Sequence, residues 1–352
     1  MKDMLQSETS RLKKNNFDLL RLLFAATVCF VHADELSGYT EIGWISQVLS
    51  SEVAVKAFFV VSGFLIFMSY ERSSSIPNYF IKRIRRIYPA YVTVVIAAAF
   101  LLVLVSRFDY REYFSVDWFK YLAVNLVFLN FLQPTLPGVF EANYFTAVNG
   151  ALWTLKIEVL FYLSVPVFGW LFKKISRTWV LLGGYVLSIV YVLICNVLAV
   201  RTGNAMYAEL GRQLPGQLSY FLGGAFLYYH LPFFEKYAAY FLGVGVLVLV
   251  VDAFQPLILL EPFALAAVVI FFGLFFYVGE FSKNGDFSYG VYILHFPILQ
   301  IFIQYGWLRD MPWLYLCVAL LVTLAVAVFL WHGVEKRFLF KGSHYISKRT
   351  LS

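Results

Sequence analysis

The chain has 352 residues, 61% of them hydrophobic and only 14% charged, with a mean hydropathy of +0.73. Soluble domains run at about 45–50% apolar and about 25% charged, so this composition excludes a soluble globular protein and predicts an all-α polytopic membrane helix bundle. The net charge of +7 sits in short runs between apolar segments, which reads as a topology signal rather than a nucleic-acid surface.

In chain order, ten segments are long enough to span at roughly 20 residues each. They lie near 16–34, 52–70, 87–106, 150–172, 178–200, 216–231, 237–253, 257–279, 287–306 and 312–332. An eleventh apolar stretch, 120–133, is short and reads as oblique, re-entrant or interfacial. Charge weighs against a crossing there. With ten spans and an inner N-terminus, the inner segments collect Lys2, Arg11, Lys13 and Lys14, then Arg72, Lys82, Arg83, Arg85 and Arg86, then Lys173, Lys174 and Arg177. The tail adds Lys336, Arg337, Lys341, Lys348 and Arg349. One more crossing would turn the later runs outward, against the positive-inside bias. The expectation is one membrane domain over 1–352, both termini cytoplasmic, with no attached soluble domain. Arg21 interrupts the first apolar segment and no small-residue cleavage site follows, so no cleavable signal peptide is expected. Cys29, Cys195 and Cys317 lie far apart and show neither metal nor disulfide spacing.

Ionisable residues inside a membrane are rare and mark functional sites by default. The first span carries Asp18, Arg21 and His32. Eleven residues make three helical turns plus about 20°, so Arg21 and His32 share a face, ~16 Å apart along the axis. Either could have a plain role, Arg21 paired with Asp18 and His32 at the interface, but neither role explains the shared face. Next, FFVVSGFLIF places Ser62 and Gly63 in a span, where small residues allow close approach. YFIKRIRRIYPAY at 79–91 sets Arg83 and Arg86 three residues apart, either as a positive flank or as a phosphate clamp. Glu158 sits about eight residues into its span and needs a partner or a proton. FSYGVYILHFPI at 287–298 carries Tyr289 and His295, with Pro297 freeing a backbone carbonyl. Trp153 opens the Glu158 span.

The order of these elements carries more than any one of them. FDLLRLLFAATVCFVH, FFVVSGFLIF, YFIKRIRRIYPAY, LWTLKIEVLFYL and FSYGVYILHFP together resemble the acyltransferase-3 family of integral membrane acyltransferases, over about residues 17 to 338. The resemblance implies transfer of an acyl group, usually acetyl from acetyl-CoA, to a hydroxyl of a glycan such as O-antigen, capsule, exopolysaccharide or a small glycoside. It makes Arg21 and His32 the Arg-x10-His pair, Arg83 and Arg86 the Arg-x-x-Arg pair, and Ser62-Gly63-Phe64 the SGF element. Glu158 matches the glutamate of a Trp-Ser-Leu-x-x-Glu pattern, with Thr154 in place of serine and Lys156 unassigned.

The expected site therefore has His32, Arg21 and Glu158 as catalytic groups and Arg83, Arg86, Ser62 and Gly63 as donor contacts. His295, Tyr289 and Trp153 serve as acceptor contacts or support. No metal and no permanently bound cofactor are expected; acetyl-CoA enters as a substrate. His32 acts as general base or as transient acyl carrier. The expected partners are acetyl-CoA, the glycan and the lipid of a bacterial inner membrane. The alternative reading is a transporter or flippase for an anion or a lipid-linked sugar, against which no internal repeat with paired broken helices is seen.

Overall fold

In a computed structural model, which describes residues 11–279, 281 and 285–340, each of the ten apolar segments folds as a helix. They are α1 (Phe17–Ser37), α2 (Ser51–Glu71), α3 (Ile76–Leu101), α4 (Trp153–Leu171), α5 (Arg177–Thr202), α6 (Leu214–Tyr229), α7 (Ala238–Asp252), α8 (Glu261–Leu274), α9 (Ser288–Gln304) and α10 (Pro312–Leu330). Five of the helical stretches are long and apolar enough by length and composition to cross a membrane: Ser51–Glu71, Ile76–Leu104, Gly150–Leu171, Arg177–Thr202 and Pro312–Phe338. The chain is a polytopic membrane helix bundle. Lys2, Lys341, Lys348 and Arg349, with both chain ends, lie outside the described residues.

The helices group into two compact units. One contains residues up to Leu20, Val55–Phe80 and Ile157–Glu280, and so most of α2 and α4 with all of α5 to α8. Its core is aromatic and closely packed. Phe161 stacks on Phe221 at 4.3 Å between ring centroids, and Phe59 meets Phe161 edge-on. Gly63 lets α2 touch α6, because a Cβ there would stand 1.8 Å from the Phe221 carbonyl oxygen. Gly224 answers from α6 against the Val60 carbonyl. Such small-residue contacts bring helix backbones together where lipid provides no hydrophobic drive. Lys56, a charge within α2, is answered by Glu261 at 2.9 Å. Pro166 removes the N–H that would meet the Tyr162 carbonyl, and the Tyr79 hydroxyl donates to that carbonyl instead, at 3.1 Å.

The second unit holds Arg21–Ala54, Ile81–Lys156 and the chain from Phe281 onward. Its axis is α9, and four neighbours can be oriented against it. Arg21 meets Asp286 and His32 meets His295, so α1 runs parallel to α9. Tyr289 bonds the Ile87 carbonyl and Gln304 bonds the Val105 carbonyl, so α3 runs parallel too. Gly290 packs on Ala327 and Phe302 on Tyr315, so α10 is antiparallel. Gly150 packs on Phe296 and Thr154 bonds Tyr292, so α4 starts antiparallel.

The stretch between α3 and α4 therefore leaves and returns at the same end of α9. Its longest helix, Val116–Asn125, has ten residues and is ~15 Å long, half the ~30 Å of a hydrocarbon core. After it the chain descends beside α9 without regular structure. The Phe140 amide bonds the Gln304 side chain, Gln300 donates to the Phe145 and Ala147 carbonyls, and Asn149 donates to the Ile293 carbonyl. Irregular backbone at membrane depth persists where protein satisfies it, and here amide side chains do so.

Candidate functional site

Two polar clusters lie along the α1–α9 pair, an arginine end at the helix N-termini and a histidine end that reaches the middle of α9, and both belong to the second unit. At the N-terminal end of each helix, the Asp286 carboxylate is 2% exposed and receives Arg21 at 2.8 Å on one oxygen. Arg86 donates to that same oxygen. The other oxygen accepts from the Ser288 amide at 3.1 Å and its hydroxyl at 2.5 Å, which ties the carboxylate to the first turn of α9. Arg86 also meets Glu335 at 3.0 Å, from the π-helical turn Trp331–Glu335 that closes α10. Among the described residues, two guanidiniums thus meet two carboxyl groups in a buried network. Its walls are aromatic: the Arg86 guanidinium carbon lies 5.8 Å from the Tyr289 ring and 5.9 Å from the Trp331 ring. Burial alone would raise the Asp286 carboxyl, but Arg21, Arg86 and the Ser288 hydrogen bonds outweigh it and hold the group below the ordinary carboxylate range.

Eleven residues along α1, His32 Nδ1 lies 2.8 Å from His295 Nε2. The rings are nearly parallel, at 18°, with centroids 5.1 Å apart. His295 is fully buried, and its Nδ1 stands 3.2 Å from the Val291 carbonyl oxygen. Phe296 closes on His32 edge-first at 5.5 Å. Gly150, where the irregular segment turns into α4, leaves room for that ring, since a Cβ would stand 2.7 Å from it. Thr154 and Tyr292 share a hydroxyl bond of 2.7 Å beside His295. Pro297 supplies no N–H to the Ile293 carbonyl, and Asn149 donates there at 2.8 Å. Between the two ends, Ala25 and Cys29 are fully buried on the same face.

The structure therefore brings together five of the sequence-selected residues at two loci: Arg21, Arg86 and Tyr289 at one, His32 and His295 at the other. Arg83 lies half-buried one turn before Arg86 on α3, and Trp153 half-buried at the start of α4. Lys156 places its ammonium 4.6 Å from the Phe131 ring centroid. Glu158, Ser62 and Gly63 belong to the first unit, where the Tyr162 hydroxyl donates to Glu158 one turn away and Gly63 is taken up by packing on Phe221. Sequence reasoning missed Asp286, Glu335, Asn149 and Gln300. Among the described residues, no group of three or more His, Cys, Asp or Glu side chains is arranged to hold a metal ion.

The chain has relatives among known proteins. Nodulation protein 10 of Rhizobium leguminosarum bv. viciae is 28% identical over 359 residues, covering 94% of each chain. An O-acetyl transferase of Shigella phage Sf6 is 28% identical over 355 residues, covering 95% of this chain and 99% of the relative. An uncharacterized protein of Haemophilus influenzae is 30% identical over 116 residues, covering 31% of this chain and 46% of the relative. No solved structure matches the chain. The sequence profile of an acyltransferase domain matches residues 14–332, most of the chain and every residue of the two polar clusters except Glu335. On that match, this multi-pass membrane protein is an acyltransferase and belongs to the acyltransferase-3 family.

Proposed function

We propose that the protein transfers an acetyl group from cytoplasmic acetyl-CoA to a hydroxyl of a cell-surface or lipid-linked glycan, in a bacterial inner membrane that it crosses ten times with both termini inside. One observation carries the reading. A histidine pair and a buried arginine network stand ~16 Å apart on one helix face, with Ala25, Val28 and Cys29 buried between them. A pantetheine arm has about that reach. The phosphate end of the donor is placed at the arginine end, where the inner positive flank of α3 begins. Arg21, whose side chain is 17% exposed, and Arg83 offer the phosphate contacts. Arg86 holds Asp286 and Glu335 in place and so fixes Arg21. The relative that is an O-acetyl transferase favours acetyl as the group and a hydroxyl as the acceptor.

At the other end His32 serves as general base. It takes the proton of the acceptor hydroxyl as the oxygen attacks the thioester carbonyl. The C–S bond breaks and the thiolate recovers a proton from the imidazolium. Glu158 remains the proposed carboxylate contribution, with Ser62 and Gly63 as donor contacts and Trp153 and Tyr289 as support, on the family motifs they match.

Cells expressing the chain and supplied with label that enters through acetyl-CoA should incorporate it into surface glycan. His32→Ala should abolish incorporation while the amount of protein in the membrane stays constant; retained incorporation overturns the assignment. Arg83→Ala should raise the acetyl-CoA concentration needed for half-maximal rate. A change confined to the acceptor requirement would remove Arg83 from the donor site.

A further inference from the structure

We infer that His295 is a positioning residue that fixes the tautomer of His32, so that Nε2 of His32 is the reactive nitrogen. This deepens the proposed role of His32 and rests on it.

The assignment follows from what each neighbour can do. A backbone carbonyl only accepts hydrogen bonds. The Val291 oxygen, 3.2 Å from His295 Nδ1, therefore calls for the proton on that nitrogen. A neutral His295 then has a lone pair on Nε2. That lone pair faces His32 Nδ1 at 2.8 Å, so the proton between the two rings belongs to His32 Nδ1. With Nδ1 protonated, a neutral His32 keeps its lone pair on Nε2. The chain runs carbonyl, His295, His32, and then the reacting hydroxyl. The reversed order would set the Nδ1 lone pair of His295 against the lone pairs of the Val291 oxygen in a fully buried site, where an unmatched polar atom is costly.

His295 thus occupies the place that a carboxylate takes in a hydrolase triad, holding the base by the nitrogen that does not react. The substitute is neutral, and that suits its position. His295 has no exposure to water, and an uncompensated carboxylate there would be far more costly to bury. As His32 takes the acceptor proton on Nε2, its Nδ1–H bond to His295 becomes charge-assisted and strengthens. The scaffold holds the geometry from three sides. Asn149 satisfies the Ile293 carbonyl that Pro297 leaves open, Tyr292 is held by Thr154, and Phe296 is seated over Gly150.

The test has one arm that does not depend on activity. In full-length protein with ¹⁵N-labelled histidine in lipid bilayers, solid-state NMR reads which ring nitrogen carries the proton. Signals lost in His32→Ala and His295→Gln assign the two rings. The expected result is Nδ1–H with bare Nε2 for both; a proton on Nε2 of resting His32 overturns the inference and leaves its role as base to be judged by the His32→Ala assay. The second arm is kinetic, with acetyl-CoA as the varied donor and a surface-glycan fraction as acceptor. His295→Leu should lower kcat by about 10²-fold or more with KM for acetyl-CoA unchanged. His295→Gln, whose amide oxygen reaches about where Nε2 was, should recover most of the loss. Equal loss in both variants at equal folded protein, or a change in KM alone, overturns the positioning role.

Discussion

The two polar clusters along the α1–α9 pair, the arginine end and the histidine end, solve the same problem in opposite ways. Each must keep polar groups buried inside a helix bundle. The arginine end does so with full charges in mutual contact, drawing on α1, α3, the lead into α9 and the turn after α10. The histidine end does so with rings that neutralise nothing and share hydrogen bonds with a backbone carbonyl. The difference is in what a single deletion leaves behind. Removing one member of a buried ion network strands a charge, at about 3–5 kcal/mol. Removing one member of a hydrogen-bonded chain strands a lone pair or an N–H, at about 1–3 kcal/mol. The arginine end should therefore dominate stability and the histidine end should dominate rate.

Asp286→Asn is the harshest way to break that contrast. It preserves shape and an acceptor for Ser288 but removes the charge that Arg21 and Arg86 share. Thermal unfolding in detergent should show a loss of about 3–5 kcal/mol. A loss under about 1 kcal/mol, the scale of exposed pairs, would mean that the network is effectively solvated. The pH dependence follows from the same pairing. The Asp286 carboxyl is held below its ordinary value of 3.8, so its contribution is complete above that pH and unloads only as the pH falls through the lower folded value. Asp286 itself should therefore stay ionised and paired with both arginines from pH 7 down to pH 5, which the carbon-13 shift of its carboxyl group checks.

Glu335→Gln should cost less, because Glu335 answers only Arg86 in the network while Asp286 answers both arginines. One charge-assisted hydrogen bond is worth about 1.5–3 kcal/mol, and Arg86 keeps its bond to Asp286. The same unfolding measurement ranks the two variants. A Glu335→Gln loss equal to that of Asp286→Asn would show that the four groups act as one unit without a hierarchy.

What the sequence disclosed of these two ends depends on how unusual each residue is where it sits. Arg21, His32 and His295 interrupt apolar runs, and periodicity placed the first two on one face; that face proves to be the one toward α9. The ten helices were legible for the same reason, since apolar runs of that length have few alternatives. Asp286 and Glu335 stayed hidden because both fall at span ends, where a charge is ordinary. Only the fold reveals that they turn inward to Arg86. The segment after Val116–Asn125 was hidden differently. Asn143, Asn149, Gln300 and Gln304 are uncharged and so do not stand out as charges do, yet they hold an irregular chain beside α9. The proline at 297 was the available clue, because a carbonyl freed inside a membrane must find a donor.

That clue gives the mildest test of the contrast, and one confined to the histidine end. Asn149→Ala should cost about 1–3 kcal/mol, because the Ile293 carbonyl then has neither a helix N–H nor a side-chain donor. In a Pro297→Ala background the residue at 297 regains an N–H one helical turn after Ile293. The carbonyl is then satisfied within α9, and Asn149→Ala should cost only the cap that its Oδ1 gives the Ala151 amide, about 1 kcal/mol. The two changes are thus coupled, by roughly 0.5–3 kcal/mol in a double-mutant cycle. Additive losses would mean that Asn149 holds its segment through other contacts, and that the proline is no part of how the histidine end is built. Coupling in stability with an unchanged rate per folded molecule would place the pair in the scaffold. Coupling in both would show that the backbone beside Ile293 also sets the position of His295, two residues further along the same helix.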